Sequence, residues 1–477
     1  MSNILFLQNT ISEIQGIMFL SRILKTAGHN VQVLISGREK SIINYIDENK
    51  IDVVCFSLMY GHQFWARTIS RLIKKSLPRT KILWGGIFPT FNPDYLLSVS
   101  SAVDAFCVGE AEDVITDLVE AAVNHRGFSD IRGAVYIQDD TLRQNNICDY
   151  VDIENLIPDR DLYFLHNSVL RDNPTKIFVC SRGCIGNCSY CYNSRIKELY
   201  RNNPKPYLRS RAPESMIEEI KYVQTSYGMK RIFFYDDILV FNKKWAFDFL
   251  PRLKSEIGVP YMCYTRADLV DKESVKLLKE TGCYMVSFGL ESGNEDLRKF
   301  VLNKNISNEA IIKAAETIKS QGLAFNTTNM MGFPRETYNM GLETIELNIK
   351  IGAVGSCNIL NPFPGTQLFE YCRKNNLFEE DYFKGERAEI HYYPMIKNPD
   401  REALGNLERL FQLAVFFPRT MYPLVKRVAR YRPNILFDLV FLTMQFFYVT
   451  FFTEKYGFRF MLRYYSEKMS SVFKHTS

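Results

Sequence analysis

"CSRGCIGNCSYC" (residues 180–191) sets four cysteines in twelve positions. It continues the apolar run "KIFV", which reads as a buried strand, so the last three cysteines lie in a glycine-bearing loop at a strand end. Cys184, Cys188 and Cys191 form CxxxCxxC, while Cys180 falls within the strand. A structural zinc site would need a further Cys or His pair. None follows, and His29, His62, His125, His166, His391 and His475 are scattered. Three thiolates suit a 4Fe–4S cluster with one iron free of protein ligands.

Around this loop, residues 175 to about 370 repeat a βα pattern. The strands expected are "KIFVCS", "RIFFYDD", "PYMCYTRAD", "MVSFGLESG", "FNTTNMMGF" and "SCNILNPFPG". Six such strands, ending in polar or glycine-bearing residues, predict a partial (β/α)6 barrel with its site at the carboxyl ends of the strands. Residues 3–138 also alternate strand and helix, from "NILFLQ" through "IDVVCFSL" and "KILWGG" to "DAFCVGE". That predicts a doubly wound parallel sheet, with "SLMYGH" (57–62), "GGIFPT" (85–90) and "GEAE" (109–112) at its ligand-binding edge. The fold class is α/β, and the expected domains are 1–138, a polar linker 139–172, a barrel 173–394 and a mostly helical tail 395–477.

The 477 residues are 46% hydrophobic and 23% charged, an ordinary globular composition. "MSNILFLQNT" does not read as a signal peptide, and the 11 cysteines form no disulfide framework, so a reducing cytoplasm is expected. The net charge of +6 is uneven. Residues 419–477 hold 10 Lys/Arg against 3 Asp/Glu, and the remainder is close to neutral. No basic, aromatic-studded module suggests a nucleic-acid partner.

The wider string "SRGCIGNCSYCYN" resembles the radical S-adenosylmethionine (SAM) enzymes, and within them the subgroup carrying an N-terminal cobalamin-binding domain. The resemblance spans about residues 1–375. It runs in the family's order through "GIMFLSRILKTAGH", "GGIFPT", "GEAE", "YLRSRAPESMIEEI", "FYDD", "GLESG", "GFPRET" and "PFPGT". It implies a 4Fe–4S cluster on Cys184, Cys188 and Cys191 whose open iron chelates SAM, with an external electron donor such as flavodoxin or ferredoxin. Tyr190 is then expected near the adenine, and Asp236 or Asp237 at the SAM amine. The strand period leaves open which of the two faces inward. Arg266 would pair with the SAM carboxylate, against a plain ion pair with Asp268. Glu291 and Ser292 would meet the ribose hydroxyls.

For cobalamin, the resemblance implies Ser57, Gly85, Gly86, Gly109 and Glu110 at the corrin. The sequence departs from the family at three points. "QNTISEIQG" lacks the histidine of D-x-H-x-x-G, Phe88 stands where relatives often have His, and Arg335 replaces a glycine in "GFPRET". The activity implied is cobalamin-dependent C-methylation of a small molecule at an unactivated carbon; an apolar substrate would suit the apolar C-terminal segment. The alternatives are an oxidoreductase or cyclase acting on an apolar or tetrapyrrole-like substrate, as in the anaerobic magnesium-protoporphyrin cyclase, and a non-catalytic cobalamin or cluster sensor.

"ILFDLVFLTMQFFYVTFF" (435–452) has 14 apolar residues in 18, the minimum length of a membrane span. Asp438 and Gln445 argue against a simple span. Two arrangements stay open: a helix packed on the barrel, or an interfacial segment in peripheral membrane contact, flanked by Arg427, Arg430, Arg432, Lys455, Arg459 and Arg463.

Overall fold

The computed structural model describes residues 1–379 and 394–452. His391, His475, Lys455, Arg459 and Arg463 lie outside the described residues. The N-terminal strands are β1 (Asn3–Gln8), β2 (Asn30–Ile35), β3 (Val53–Ser57), β4 (Lys81–Gly85), β5 (Ala105–Cys107), β6 (Ala134–Gln138) and β7 (Thr141–Gln144). They order as β2-β1-β3-β4-β5-β6-β7. The first five are parallel, as the near-continuous apolar runs imply, because helices cover both faces. The topological switch point, where such sheets receive ligands, falls between β1 and β3.

The linker expected over 139–172 is more structured than its polarity suggests. β6 and β7 form a hairpin with Gln138 opposite Thr141. The two loop residues, Asp139 and Asp140, both have positive φ (52° and 55°), the backbone of a type I′ turn. The N-terminal sheet therefore ends at residue 144 rather than 138. Short helices follow at Asp161–Phe164 and Ser168–Asp172. Leu162, Tyr163 and Phe164 belong to an apolar core that also holds Ile17 and Met18 of the first domain and Phe178 and Ile217 of the second. The two domains thus share one core through this segment.

In the second domain β8 (Thr175–Phe178) is followed by a two-residue pair, β9 (Ser181–Arg182) and β10 (Arg209–Ser210). Then come β11 (Arg231–Phe234), β12 (Tyr261–Thr265), β13 (Cys283–Glu291), β14 (Ala324–Met331) and β15 (Val354–Ile359). The sheet runs β15-β14-β13-β12-β11-β8 and is parallel throughout. β15 and β8 are not paired, so this is the expected open six-stranded barrel. A helix at Arg401–Phe416 packs on β15, with Leu407, Leu410 and Phe411 against Met331, Cys357 and Ile345. Helices at Met421–Val428 and Ile435–Phe447 complete the described tail.

Candidate functional site

The cysteine loop springs from the end of β8. Cys180 is fully buried, and its N–H donates to both oxygens of Asp236 at 3.0 and 3.1 Å. The Ser181 hydroxyl donates to the same carboxylate. Burial pushes the Asp236 pKa up to about 6, against the pull of these donors. Asp236 therefore pins the strand end and does not open to a ligand. Asp237 opens instead to the cavity beside the loop, with protein around its carboxylate. It accepts from the Asn193 amide at 3.0 Å, and burial raises its pKa.

Cys184 and Cys188 converge on Gly186. A Cβ there would stand 3.5 Å from the Cys184 Sγ and 3.6 Å from the Cys188 Sγ, and would strike the Arg266 guanidinium. Burial raises the Cys184 thiol and pushes Cys191 up to about 11, with the other cysteines adding to the effect. Arg266 and Lys197 are the cations whose fields reach these thiols. Among the described residues, no His, Cys, Asp and Glu group is drawn tightly enough to chelate a single ion. A cubane asks for something else: thiolates spread so that each binds its own iron. The donor set and the small residue between the thiols fit that group.

The structure brings several expected residues to this loop. The Tyr190 hydroxyl donates to the Glu291 Oε1 at 3.1 Å, and Lys304 Nζ pairs with the same oxygen at 2.8 Å. Burial, then the Glu291 charge, raise the Tyr190 pKa well above its ordinary value. Glu291 itself takes positive φ (68°). Arg266 holds Asp268 in a two-pronged pair (3.0 and 2.8 Å), and its guanidinium lies beside Gly186 of the cysteine loop. Ser292 does not join the site. It is fully buried, and its hydroxyl accepts from the Asn294 N–H at 3.2 Å.

The carboxyl edge of the first sheet faces the same loop. Phe91 stacks on Tyr192, the residue after Cys191, with ring centres 5.3 Å apart. Phe363 of "PFPGT" lies 5.7 Å from Tyr192 and 5.7 Å from Tyr60. Of the residues expected at the corrin, Ser57 and Gly85 sit side by side at the ends of β3 and β4. Gly86 has φ +97°, and any Cβ would meet the Leu58 backbone at 2.8 Å. The exposed Met59 and the His62–Asn9 pair (2.8 Å) border the switch point. This open, glycine-flanked edge suits a large flat ligand.

Gly109 and Glu110, expected with them, are engaged otherwise. A Cβ at Gly109 would collide with the Tyr200 hydroxyl, which accepts from the Glu110 N–H at 2.9 Å. Glu110 takes two bonds from Arg209 (2.8 and 2.6 Å) and pairs with Arg182 at 3.2 Å. Burial alone would raise its pKa, but the two arginines hold it below the usual value. These residues lock the first domain to the second. Sequence reading also missed Asn193, Tyr192 and Tyr207, which lies with Asp237 on a cavity of about 230 Å³ between the domains. The quoted "CYN" was the one available signal for the first two.

Comparison with known proteins agrees with this geometry. The description "Radical SAM superfamily" matches residues 178–347, and "B12 binding domain" matches residues 12–119. An uncharacterized methyltransferase of Pyrococcus horikoshii is 28% identical over 372 residues, covering 76% of this chain and 79% of that one. The anaerobic magnesium-protoporphyrin IX monomethyl ester cyclase of Rubrivivax gelatinosus is 22% identical, covering 74% of this chain and 65% of that one. Among solved structures, the cobalamin-dependent SAM radical enzyme OxsB superposes with a TM-score of 0.69 at 14% identity, covering 94% of this chain and 73% of that one. The radical SAM methyltransferase TsrM from Kitasatospora setae gives 0.63 at 15% identity, with 78% and 76% covered. The chain thus carries a radical SAM domain preceded by a B12-binding domain, and its fold is that of OxsB and TsrM.

Proposed function

We propose that the protein is a cobalamin-dependent radical SAM C-methyltransferase acting on a small, apolar molecule. The observation that carries this reading is the meeting of two machineries at one place. The cysteine loop and the ligand-binding edge of the B12-binding sheet touch through Phe91, Tyr192 and Phe363. When bound, the cluster supplies the electron that cleaves SAM to a 5′-deoxyadenosyl radical, and cobalamin relays a methyl group. Cys184, Cys188 and Cys191 hold the cluster. Asp237 receives the SAM amine, Arg266 its carboxylate, and Glu291, kept in place by Lys304 and Tyr190, its ribose. Ser57, Gly85 and Gly86 would hold the corrin. An external one-electron donor such as flavodoxin or ferredoxin completes the system.

The SAM assignment predicts a split between adjacent carboxylates. Asp237→Ala should weaken SAM binding about tenfold or more, the usual effect of losing one partner of a charged hydrogen bond, with the iron–sulfur spectrum unchanged. Asp236→Ala should instead destabilise the protein by about 1–3 kcal/mol, because buried donors lose their acceptor. Equilibrium SAM binding and denaturant unfolding check the two. Wild-type SAM affinity in Asp237→Ala would remove it from the site.

The reaction class is tested in cells fed methyl-labelled methionine. Deleting the gene should abolish a metabolite that carries one additional labelled methyl group. Loss of a product differing by hydrogen or by ring closure, with no added label, would favour the oxidoreductase or cyclase alternative. No change in either would favour a sensor.

A further inference from the structure

The helix Ile435–Phe447 and the turn Tyr448–Phe452 that continues it are anchored along one side only. On that side Phe437 is buried in the tail's core. Asp438 accepts from Arg409, Gln445 meets Gln412, and the Tyr448 hydroxyl accepts from the Asn326 amide at 2.9 Å, in the barrel sheet. These contacts account for Asp438 and Gln445 within the apolar stretch and fix the rotation of the helix. The opposite side carries Ile435, Leu436, Leu439, Leu442 and Phe451, each with more than half of its surface exposed. Leu436, Leu439 and Leu442 follow one another at steps of three beside Ile435, and the half-exposed Phe447 and Phe451, four apart, continue the row outward. The 18 residues have a mean hydropathy of 1.8, yet only 17% of them are buried. A core helix of a soluble protein passes the same hydropathy test but is mostly buried.

Charge identifies what covers this row. The helix has one acid, Asp438, and Arg409 neutralises it. Just before the helix, Lys426, Arg427, Arg430 and Arg432 are exposed. Arg427 and Arg432 form no ion pair among the described residues. An apolar row bordered by unpaired arginines matches a surface with acyl chains below and anionic headgroups above. A transmembrane span does not fit. The inward side is bound to protein through Asp438, Gln445 and Tyr448, so lipid can reach one face only.

We propose that the outer face of residues 435–452 docks the enzyme onto an anionic phospholipid bilayer, lying in its interfacial layer. The proposal is independent of the reaction assigned above. The test uses the full-length, cluster-reconstituted protein floated with phosphatidylcholine vesicles containing phosphatidylglycerol, against vesicles of phosphatidylcholine alone. Wild type should float with the anionic vesicles. The pair Leu439→Asp with Leu442→Asp should abolish flotation. The pair Arg427→Ala with Arg432→Ala, or high salt, should weaken it about tenfold or more. All four residues are exposed, so circular dichroism and SAM cleavage should match wild type and exclude misfolding.

Wild type that floats with neither vesicle would overturn the proposal. So would undiminished flotation of the double-aspartate variant. A wild-type dimer that this variant renders monomeric would also overturn it, because the face would then be covered by a second copy of the chain.

Discussion

Alanine at Cys184, Cys188 or Cys191 is expected to take the reconstituted protein from about four irons per chain to almost none, and to abolish reductive SAM cleavage. The effect is all-or-none because a cubane with two protein thiolates lacks the ligands to persist at this site. Cys180→Ala is the internal control. Its thiol is fully buried, and burial holds its pKa well above normal. It lies at the strand end beneath the loop, where its backbone N–H is tied to Asp236. That variant should keep its cluster and show a modest stability loss of about 1 kcal/mol. Iron and sulfide analysis with quantified 5′-deoxyadenosine checks the series. Equal loss of iron in Cys180→Ala would mean that a different trio binds the cluster.

The second large effect concerns stability. Glu219 is almost fully buried and accepts from Arg160 Nε at 2.8 Å, from its Nη2 at 2.6 Å, and from Arg211. Arg160 also binds Glu13 of the first domain at 3.0 Å and the Ile177 carbonyl of β8 at 2.8 Å. The backbone N–H of Arg211 donates to the Cys180 carbonyl at 2.7 Å. One carboxylate thus holds two buried guanidinium groups: that of Arg160 fastens the first domain and the linker to β8, and that of Arg211 belongs to a residue whose backbone is tied to Cys180. Glu219→Ala would leave both cations without their shared counter-charge. Breaking a buried pair in this way typically costs about 3–5 kcal/mol. A large fall in unfolding midpoint is expected, with the cluster lost at a lower denaturant concentration than in wild type. A wild-type midpoint would show that the network contributes little.

Both sheets were legible because their strands are apolar runs closed by polar or glycine residues, a pattern set by burial on both faces. The three-cysteine loop was legible because its spacing is local. What failed was what depends on distant chain. The Asp139–Asp140 hairpin escaped notice because the turn lacks the usual Asn-Gly or Asp-Gly signal. Gly109 and Glu110 look like a ligand-binding turn until Tyr200 and Arg209, 90 and 99 residues beyond Glu110, are seen to occupy it. Asp236 and Asp237 are equivalent on paper. The fold separates them by giving one of them the N–H of Cys180. Likewise Asp438 reads as a flaw in an apolar helix until Arg409 appears opposite it.

Two cofactors working at one site can be tested in a single reconstitution. Protein purified without oxygen, reconstituted with iron, sulfide and cobalamin, freed of unbound cofactor and then reduced with SAM should stay coloured by cobalamin. It should release both S-adenosylhomocysteine, from methyl loss, and 5′-deoxyadenosine, from reductive cleavage. A protein that retains no cobalamin absorbance and releases 5′-deoxyadenosine alone would contradict the methyltransferase reading.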